Sequence, residues 1–346
     1  MSGRHRRTWG IALAVLAVAL NYAPWDQLSG AAEETAVQAA AVSERILIPG
    51  GQAVGVALRT QGVLVVAKGG GGSKTPLREG DLILAVDGTD VGSTAELSAC
   101  IARLREDETE MRILRGGKEM TLSAPVPVDE ADGKRRLGVW VRDSTAGVGT
   151  LSYIDPETGA YGALGHAIVD ADTGSMLTVQ DGALLRATVI GVTRGQNGKA
   201  GELKGNFLKA GHQIGTLEIN CPYGIYGTLS EVPRTSLYPQ GLPVGTRSAV
   251  HTGEATILST VNGGEPQEYT VEILRCLRQE EPSSKGMVLR VTDERLIAST
   301  GGIVQGMSGS PIIQDGKLVG AVTHVLVNDP TRGYGIFIEN MLDAAG

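Results

Sequence analysis

The sequence is poor in the residues that build helical cores, disulfide frameworks and nucleic-acid surfaces. It has 2 phenylalanines against 49 glycines, a balance that favours short strands and turns over a helical bundle. The net charge of −7 and the lack of a basic stripe argue against binding nucleic acid. Three widely spaced cysteines, Cys100, Cys221 and Cys276, form neither a disulfide framework nor a zinc site. We expect small buried thiols, with a Cys221–Cys276 bridge as the alternative.

The sequence also lacks a zinc-peptidase motif and an apolar run of full membrane-spanning length. Without a His-Glu-x-x-His pattern, we expect no metal and no cofactor. Arg4 to Arg7 precede the apolar run Ile11–Leu20, and even the wider stretch Trp9–Trp25 falls a little short of the roughly 20 residues that span a bilayer. This pattern predicts a signal peptide or signal anchor over residues 1–30, with Ser29-Gly30-Ala31 as a cleavage site. The rest of the chain should then lie outside the cytoplasm, after an Ala-rich stalk at residues 31–44 where self-cleavage is plausible.

The first folded domain is predicted over residues 45–128. Two strands are expected at Ala53–Leu58 and Gly62–Ala67, and a third inside the turn–strand–turn pattern Leu77–Gly88. A capping box, Ser93-Thr94-Ala95-Glu96, opens a helix, and a hairpin follows around Gly116-Gly117. The order of elements resembles a PDZ domain, and the Leu77–Gly88 stretch carries most of that resemblance.

The PDZ resemblance implies a peptide ligand. In that family, backbone N–H groups of a loop bind a C-terminal carboxylate, and the adjacent strand edge pairs with the peptide. The resemblance carries this role onto Val54, Gly55 and Val56. The ligand would be a partner protein or a segment of this chain itself, and the alternative is a PDZ-shaped spacer without a ligand.

A charged linker, residues 129–136, leads into a second domain over residues 137–346. There, short apolar runs separated by Gly, Asp and Asn turns predict an all-β barrel or sandwich. Leu137–Val141, Gly149–Tyr153 and Ala249–His251 are the expected strands, and Ile338–Ala344 is the expected late helix. The predicted fold class is therefore mainly β, with an N-terminal membrane segment, a PDZ domain and a β-barrel domain.

The most informative stretch is Gly306-Met307-Ser308-Gly309-Ser310-Pro311. A serine between glycines in a tight turn presents its hydroxyl, and the N–H groups of Gly306 and Ser308 can converge on an oxyanion. The stretch resembles the Gly-Asp-Ser-Gly-Gly-Pro signature of chymotrypsin-like serine peptidases, with Met307 and Ser310 as departures. The alternative is a glycine-rich turn between two core strands.

A nucleophilic serine needs a base, and four histidines lie beyond the N-terminal segment. His166 follows Gly165 between small residues at the end of a predicted strand, and it precedes Ser308 in the order that a chymotrypsin-type barrel requires. His324 lies in a buried strand, where a histidine is more often a hydrogen-bonded core residue. His212 and His251 lie near glycine-containing turns and are expected to be exposed. We therefore expect His166 to be the base.

The second domain resembles one specific family. The segments Tyr161–Ile168, Thr300–Ile312, Gly320–Val325 and Val327–Pro330 are similar to the histidine and serine regions of stage IV sporulation protein B, the SpoIVB peptidase of endospore-forming bacteria. The order of membrane segment, PDZ domain and peptidase is also similar. Met307 and Ser310 depart from the chymotrypsin-like signature, but they match the serine region of this family.

The resemblance implies a serine endopeptidase with Asp293 as the residue that orients His166. By residue type alone, Asp170, Asp172 and Asp329 compete for that role. It also implies action between the forespore and mother-cell membranes, where cleavage of the regulator of a membrane-embedded protease leads to processing of the sigma-K precursor. The alternatives are a non-enzymatic PDZ adaptor and an HtrA-like quality-control protease, although HtrA proteins carry PDZ after the protease.

Overall fold

The computed structural model describes residues 45–69, 74–207, 213–231 and 237–346, and most of the ordered elements in them are strands. The helices are α1 (Thr94–Arg103), α2 (Glu294–Thr300), α3 (Ile338–Ala345) and a 3₁₀ turn (Arg247–Ala249). The strands are β1 (Ile46–Pro49), β2 (Ala53–Lys68), β3 (Leu82–Val86), β4 (Thr89–Asp90), β5 (Glu108–Arg115), β6 (Lys118–Pro125), β7 (Val139–Ile154), β8 (Ala160–Ala163), β9 (Val179–Arg186), β10 (Thr188–Thr193), β11 (Glu202–Asn206), β12 (Gln213–Thr216), β13 (Ile219–Cys221), β14 (Gly224–Thr228), β15 (Leu242–Pro243), β16 (Gly253–Ser259), β17 (Gln267–Cys276), β18 (Met287–Val291), β19 (Pro311–Gln314), β20 (Lys317–Val325) and β21 (Arg332–Phe337).

Two long antiparallel strands, β2 and β7, run through both halves of the fold. Their pairing extends from Ala53 opposite Thr150 to Lys68 opposite Val139, with shifts in register along the way. The predicted strands Ala53–Leu58 and Gly62–Ala67 are thus a single strand, because the chain continues through the intervening residues without a turn. One end of this pair belongs to the PDZ-like module. The other end belongs to the part of the fold that contains His166 and Ser308, which is called the peptidase half after the domain predicted from the sequence.

The PDZ-like module is built between β2 and β7. Its core contains Ile83 of β3, Ile113 of β5 and Leu97 of α1. These side chains pack with the last part of β2 and the first part of β7. The capping box is confirmed in part: Ser93 Oγ accepts from Glu96 N, whereas Glu96 reaches back to Gly92 N. The predicted hairpin of β5 and β6 is also present, with Arg115 opposite Lys118.

The peptidase half contains two β structures. In the first structure, the first half of β2 pairs with β9, and the last residues of β7 pair with β8 and β1. These strands cover a core that includes Leu151, Tyr161 and Leu184. The second structure is a closed barrel in the order β16-β17-β18-β21-β20-β19. Its interior contains Ile257, Leu289 and Val322, all essentially inaccessible to solvent. The predicted mainly β class is confirmed, and the late helix is observed as α3.

Several local expectations differ from the structure. Residues 46–59, which the sequence assigned to the PDZ domain, pair with the peptidase half. Ala249–His251 is not a strand, because Arg247–Ala249 forms a 3₁₀ turn and the chain then leaves it. Cys221 and Cys276 are free, partly buried thiols and form no bridge.

The segment expected to bind a carboxylate lies near the start of β2, between two neighbouring strands. Gly55 is opposite Val148 of β7 on one side and opposite Leu185 of β9 on the other. Val54 and Val56 are buried in the core of the peptidase half. A backbone with a strand on each side has no edge for a peptide. The structure therefore does not support the prediction that Val54, Gly55 and Val56 bind one.

No helix among the described residues is long and apolar enough to cross a membrane. The predicted signal segment, residues 1–30, and the stalk lie outside the described ranges, so their assignments stay predictions.

The close approach at Gly55 gives a stability prediction. A Cβ atom there would lie 2.6 Å from Cγ of Phe207, so Gly55→Ala forces that ring to move and should lower the free energy of unfolding by about 1–3 kcal/mol. Gly147 lies on the neighbouring strand with open space around its Cα, so Gly147→Ala should change it by less than about 0.5 kcal/mol. Denaturant unfolding of both variants checks this. Equal stabilities would contradict the observed packing of Phe207.

Candidate active site

The nucleophile turn follows α2 and is held by buried neighbours. Gly306 and Gly309 adopt φ values of 95° and 99°, in the region that favours glycine. A Cβ on Gly309 would lie 2.0 Å from the carbonyl oxygen of Thr150, so no larger residue fits there. Met307 is fully buried in the core of the closed barrel. This explains the methionine in the motif: its side chain packs into the barrel core and holds the turn in place, while Ser308 stays partly exposed.

The hydroxyl of Ser308 and the N–H groups beside it are arranged for acyl chemistry. Ser308 Oγ donates to the carbonyl oxygen of Thr323 at 2.7 Å. Within the described part of the chain, the N–H groups of Gly306 and Ser308 donate to no protein acceptor. Two free donors beside a serine hydroxyl can hold the oxyanion of a tetrahedral intermediate.

The histidine turn follows β8. Leu164 and Gly165 have φ values of 67° and 70°, and this double left-handed turn brings His166 into the cleft. His166 Nδ1 donates to the carbonyl oxygen of Ala167 at 2.8 Å, so Nε2 is the nitrogen left to act as a base. Burial lowers the pKa of His166 below its ordinary value, so the base is neutral near pH 7.

Asn220 fixes the chain just beyond His166. Its side-chain oxygen accepts from Ile168 N at 2.8 Å, and its amide group donates to the carbonyl oxygens of Ile168 and Leu177 at 2.9 and 2.8 Å. One side chain thus bonds to both sides of the loop that follows the histidine. Sequence reasoning missed this residue, because a lone asparagine after a strand has no distinguishing pattern.

Ser308 and His166 line one cavity of about 780 Å³ between the two β structures. Among the described residues, no aspartate, glutamate, lysine or arginine side chain lines it. Most of its wall is aliphatic, including Val56, Val148, Ile168, Met176, Val304 and Val325. Its chemistry therefore suits an uncharged, apolar segment of peptide.

The structure places the other histidines differently. His324 lines the same cavity, and its ring centroid is 5.1 Å from that of His166. His251 is exposed, as expected, and its Nε2 lies 2.8 Å from Asp315. His212 lies outside the described residues. The expectation of a hydrogen-bonded core residue fails for His324, because its Nδ1 is buried without a partner.

Asp293 lies at the start of α2 and does not line the cavity. Its carboxylate accepts from the N–H groups of Arg295 and Leu296 as a helix cap, and it pairs with the Arg295 guanidinium at 2.7 Å. The hydrogen bond from Arg295 is the main cause that lowers the pKa of Asp293. None of these partners is His166, so the structure gives Asp293 a capping role and does not support the orienting role.

The competing aspartates also have arginine partners. Asp170 and Asp172 both pair with Arg142, at 2.6 and 2.8 Å, and Asp329 pairs with Arg332 at 3.3 Å. Over the described residues, no carboxylate forms a hydrogen bond with His166. In this conformation, the carbonyl of Ala167 orients the imidazole.

Thr150 joins the two turns across the cleft. Its Oγ1 donates to the carbonyl oxygen of Gly306 at 2.7 Å, and its N–H donates to that of Ser308 at 2.9 Å. Its own carbonyl accepts from Leu164 N at 3.2 Å. Thr150 is thus bonded to both the serine turn and the histidine turn. The sequence places it inside a strand and carries no signal for this role.

Thr150 provides a direct test of that arrangement. Thr150→Val keeps the shape but leaves the Gly306 carbonyl without its donor, and a buried unsatisfied group costs about 1–3 kcal/mol. We expect the hydrolysis rate of a peptide substrate to fall by about tenfold to a hundredfold. Thr150→Ser keeps the hydroxyl and should stay close to wild type. Equal rates for the valine and serine variants would contradict the role of the hydroxyl.

Asp293→Asn separates capping from orientation. Asparagine caps helices about as well as aspartate, and the lost ion pair involves an exposed arginine, so stability should fall by less than about 1 kcal/mol. From the contacts described above, we expect kcat to change by less than about threefold. The family resemblance instead implies a loss of roughly 10⁴ from a misoriented imidazole. Such a loss in a well-folded variant would restore Asp293 as the orienting residue.

Solved structures similar to this chain include forms of one protease and a PDZ domain. The Rv3671c protease from M. tuberculosis in its active form is 16% identical, over 58% of this chain and 75% of that one, with a TM-score of 0.33. Its inactive form is 15% identical over 57% and 84%, with a TM-score of 0.31. The PDZ domain of the SdrC-like protein from Listeria monocytogenes is 23% identical over 23% and 87%, with a TM-score of 0.21. No curated protein matches the chain.

The family comparison is more decisive. The model described as SpoIVB peptidase S55 matches residues 133–342, which include His166, Ser308 and His324. This match covers more than half of the chain. The chain therefore belongs to the SpoIVB peptidase family and is a serine peptidase.

Proposed function

We propose that this protein is an endopeptidase in which Ser308 is the nucleophile and His166 is the general base. The observation that carries the proposal is the shared cavity, which brings Ser308, His166 and the free N–H groups of Gly306 and Ser308 together. These are the parts that acyl transfer requires: a hydroxyl, a neutral imidazole and donors for the oxyanion.

The proposed reaction follows from the contacts of each group. Ser308 turns from the Thr323 carbonyl toward Nε2 of His166, which takes the hydroxyl proton as Oγ attacks the peptide carbonyl. The N–H groups of Gly306 and Ser308 hold the oxyanion. His166 then gives the proton to the leaving amine. Water, activated by the same imidazole, hydrolyses the acyl-enzyme and releases Ser308.

We further propose that the peptidase acts outside the cytoplasm, in the signalling role that the family resemblance implies. The basic and apolar N-terminus supports export or anchoring at the cytoplasmic membrane. The substrate would be a protein in the space between forespore and mother-cell membranes, the regulator of a membrane-embedded protease, and its cleavage would lead to sigma-K precursor processing. Cleavage of that regulator by the purified protein, and not by a Ser308→Ala variant, tests the role.

We propose that a peptide binds the PDZ-like module along β7 and not at Val54–Val56. Residues 139–150 of β7 pair with β2 on one side, and no strand among the described residues pairs with their other side. Helix α1 packs beside this edge, with Val139 and Val141 against the cluster of Leu97 and Ile101. We place strand addition of a C-terminus or an extended segment, from the substrate or this chain itself, along Val139–Asp143.

The nucleophile is tested by Ser308→Ala. Loss of the nucleophile in a serine peptidase costs on the order of 10⁶ in kcat, whereas the fold should be unaffected because Ser308 is partly exposed. A fluorophosphonate probe should label the wild type at Ser308 and leave the variant unlabelled. Ser310→Ala is the control within the same turn and should remain labelled. Wild-type cleavage by Ser308→Ala would remove the nucleophile assignment.

The uncharged lining of the cavity predicts which peptides are cleaved. A charged side chain entering an aliphatic cleft loses its hydration without gaining a partner. We expect peptides with Leu or Val next to the scissile bond to have kcat/KM at least about tenfold above those with Glu or Arg. A matched series that differs at that position alone checks this. Equal or reversed values would contradict the proposed substrate class, and Ser308 labelling would still report the nucleophile.

A further inference from the structure

An unexplained polar atom lies beside the proposed base. Nδ1 of His324 is buried and forms no hydrogen bond within the described protein. The ring of His324 is tilted by 40° to that of His166, with centroids 5.1 Å apart, and both rings line the cavity that contains Ser308. A buried nitrogen without a partner destabilises the fold, so its place in a catalytic cavity calls for a reason.

Packing alone does not account for this imidazole. A phenylalanine would fill a similar volume beside His166 and leave no nitrogen unpaired. The backbone at this position is used for the fold, since His324 lies opposite Tyr334 in the β20–β21 pair. This pairing uses only the backbone of His324, so its imidazole can interact with groups in the cavity.

The proposed base also lacks an acidic partner. When His166 takes the serine proton it becomes a cation, and the described carboxylates that compete for its orientation are paired with arginines. The Ala167 carbonyl accepts from Nδ1 in the resting state. The imidazole of His324 lies close to that of His166, with ring centroids 5.1 Å apart.

We propose that His324 is a positioning residue for His166: during the reaction its unpartnered ring nitrogen accepts the Nδ1–H of the His166 imidazolium in place of the Ala167 carbonyl, which leaves Nε2–H for the leaving amine. This inference rests on the proposed function. No proton passes to His324: His166 holds the proton from Ser308 until it gives it to the leaving amine, and His324 is neutral before and after. The site is thus a serine with two histidines, and no carboxylate is needed in the contact.

The charge state of His324 agrees with this role. Burial, followed by the nearby His166 and Lys285, lowers the pKa of His324 to about 4. Lys285 lies over the ring of Tyr334, and within the described ranges Lys285 and His166 are the titratable groups whose charge acts on His324. A neutral imidazole retains a lone pair that can accept a hydrogen bond, and a second positive charge beside the imidazolium is avoided.

The test compares His324→Phe with His324→Asn in the full chain. Phenylalanine removes the acceptor and the unpaired nitrogen together, so we expect unchanged or higher thermal stability with kcat lower by about tenfold to a hundredfold and little change in KM. Asparagine offers an amide oxygen near the position of Nδ1 and should recover part of kcat. The control is His251→Phe, which replaces an exposed histidine paired with Asp315. Its kcat should match that of the wild type.

The pH profile separates positioning from packing. An acceptor for the imidazolium raises the pKa of His166, so its loss should move the acid limb of kcat/KM to lower pH in His324→Phe. An unmoved limb with wild-type kcat in that variant would overturn the inference. If His324→Phe does not fold, equal kcat for His324→Asn and His324→Leu would overturn it instead. Absence of Ser308 labelling in the wild type would count against the proposed function, whereas normal labelling with indifferent His324 variants would count against this inference alone.

Discussion

The hydrogen bonds of Thr150 are the constraint on which the site depends. Two turns, one carrying Ser308 and the other leading into His166, come from different β structures. Thr150 donates twice to the serine turn and accepts once from Leu164 of the histidine turn. Its own position is fixed by pairing within β7 and β2. The relative placement of nucleophile and base thus follows from a strand rather than from the loops themselves.

The same strand links the site to the PDZ-like module. β7 begins at Val139 among the residues of that module's core and ends in the peptidase half, passing the cavity at Thr145–Val148. A peptide added to the free edge near Val139 would therefore pair with the strand that carries Thr150. The long shared pair of β2 and β7 makes the PDZ-like module an insertion into the peptidase rather than a separate leading domain.

Sequence reasoning identified what local patterns encode. The glycine-flanked Ser308, the small residues around His166, the Ser93 cap and the mainly β class all follow from short-range chemistry. It did not identify what depends on distant pairing: Thr150 and Asn220 act through contacts far away in sequence, and Gly55 lies in a strand enclosed by β7 and β9. The orienting role of Asp293 came from resemblance, whereas its contacts are those of a helix cap beside Arg295.

The most direct measurement is a crystal structure of the protein with a peptidyl phosphonate covalently bound to Ser308. The account predicts a phosphonyl oxygen within hydrogen-bond distance of the N–H groups of Gly306 and Ser308, Oγ released from Thr323, and His166 Nε2 beside Oγ. It also predicts that Thr150 keeps both of its bonds to the serine turn. A phosphonyl oxygen bound elsewhere, or His166 turned away from Oγ, would contradict the proposed site.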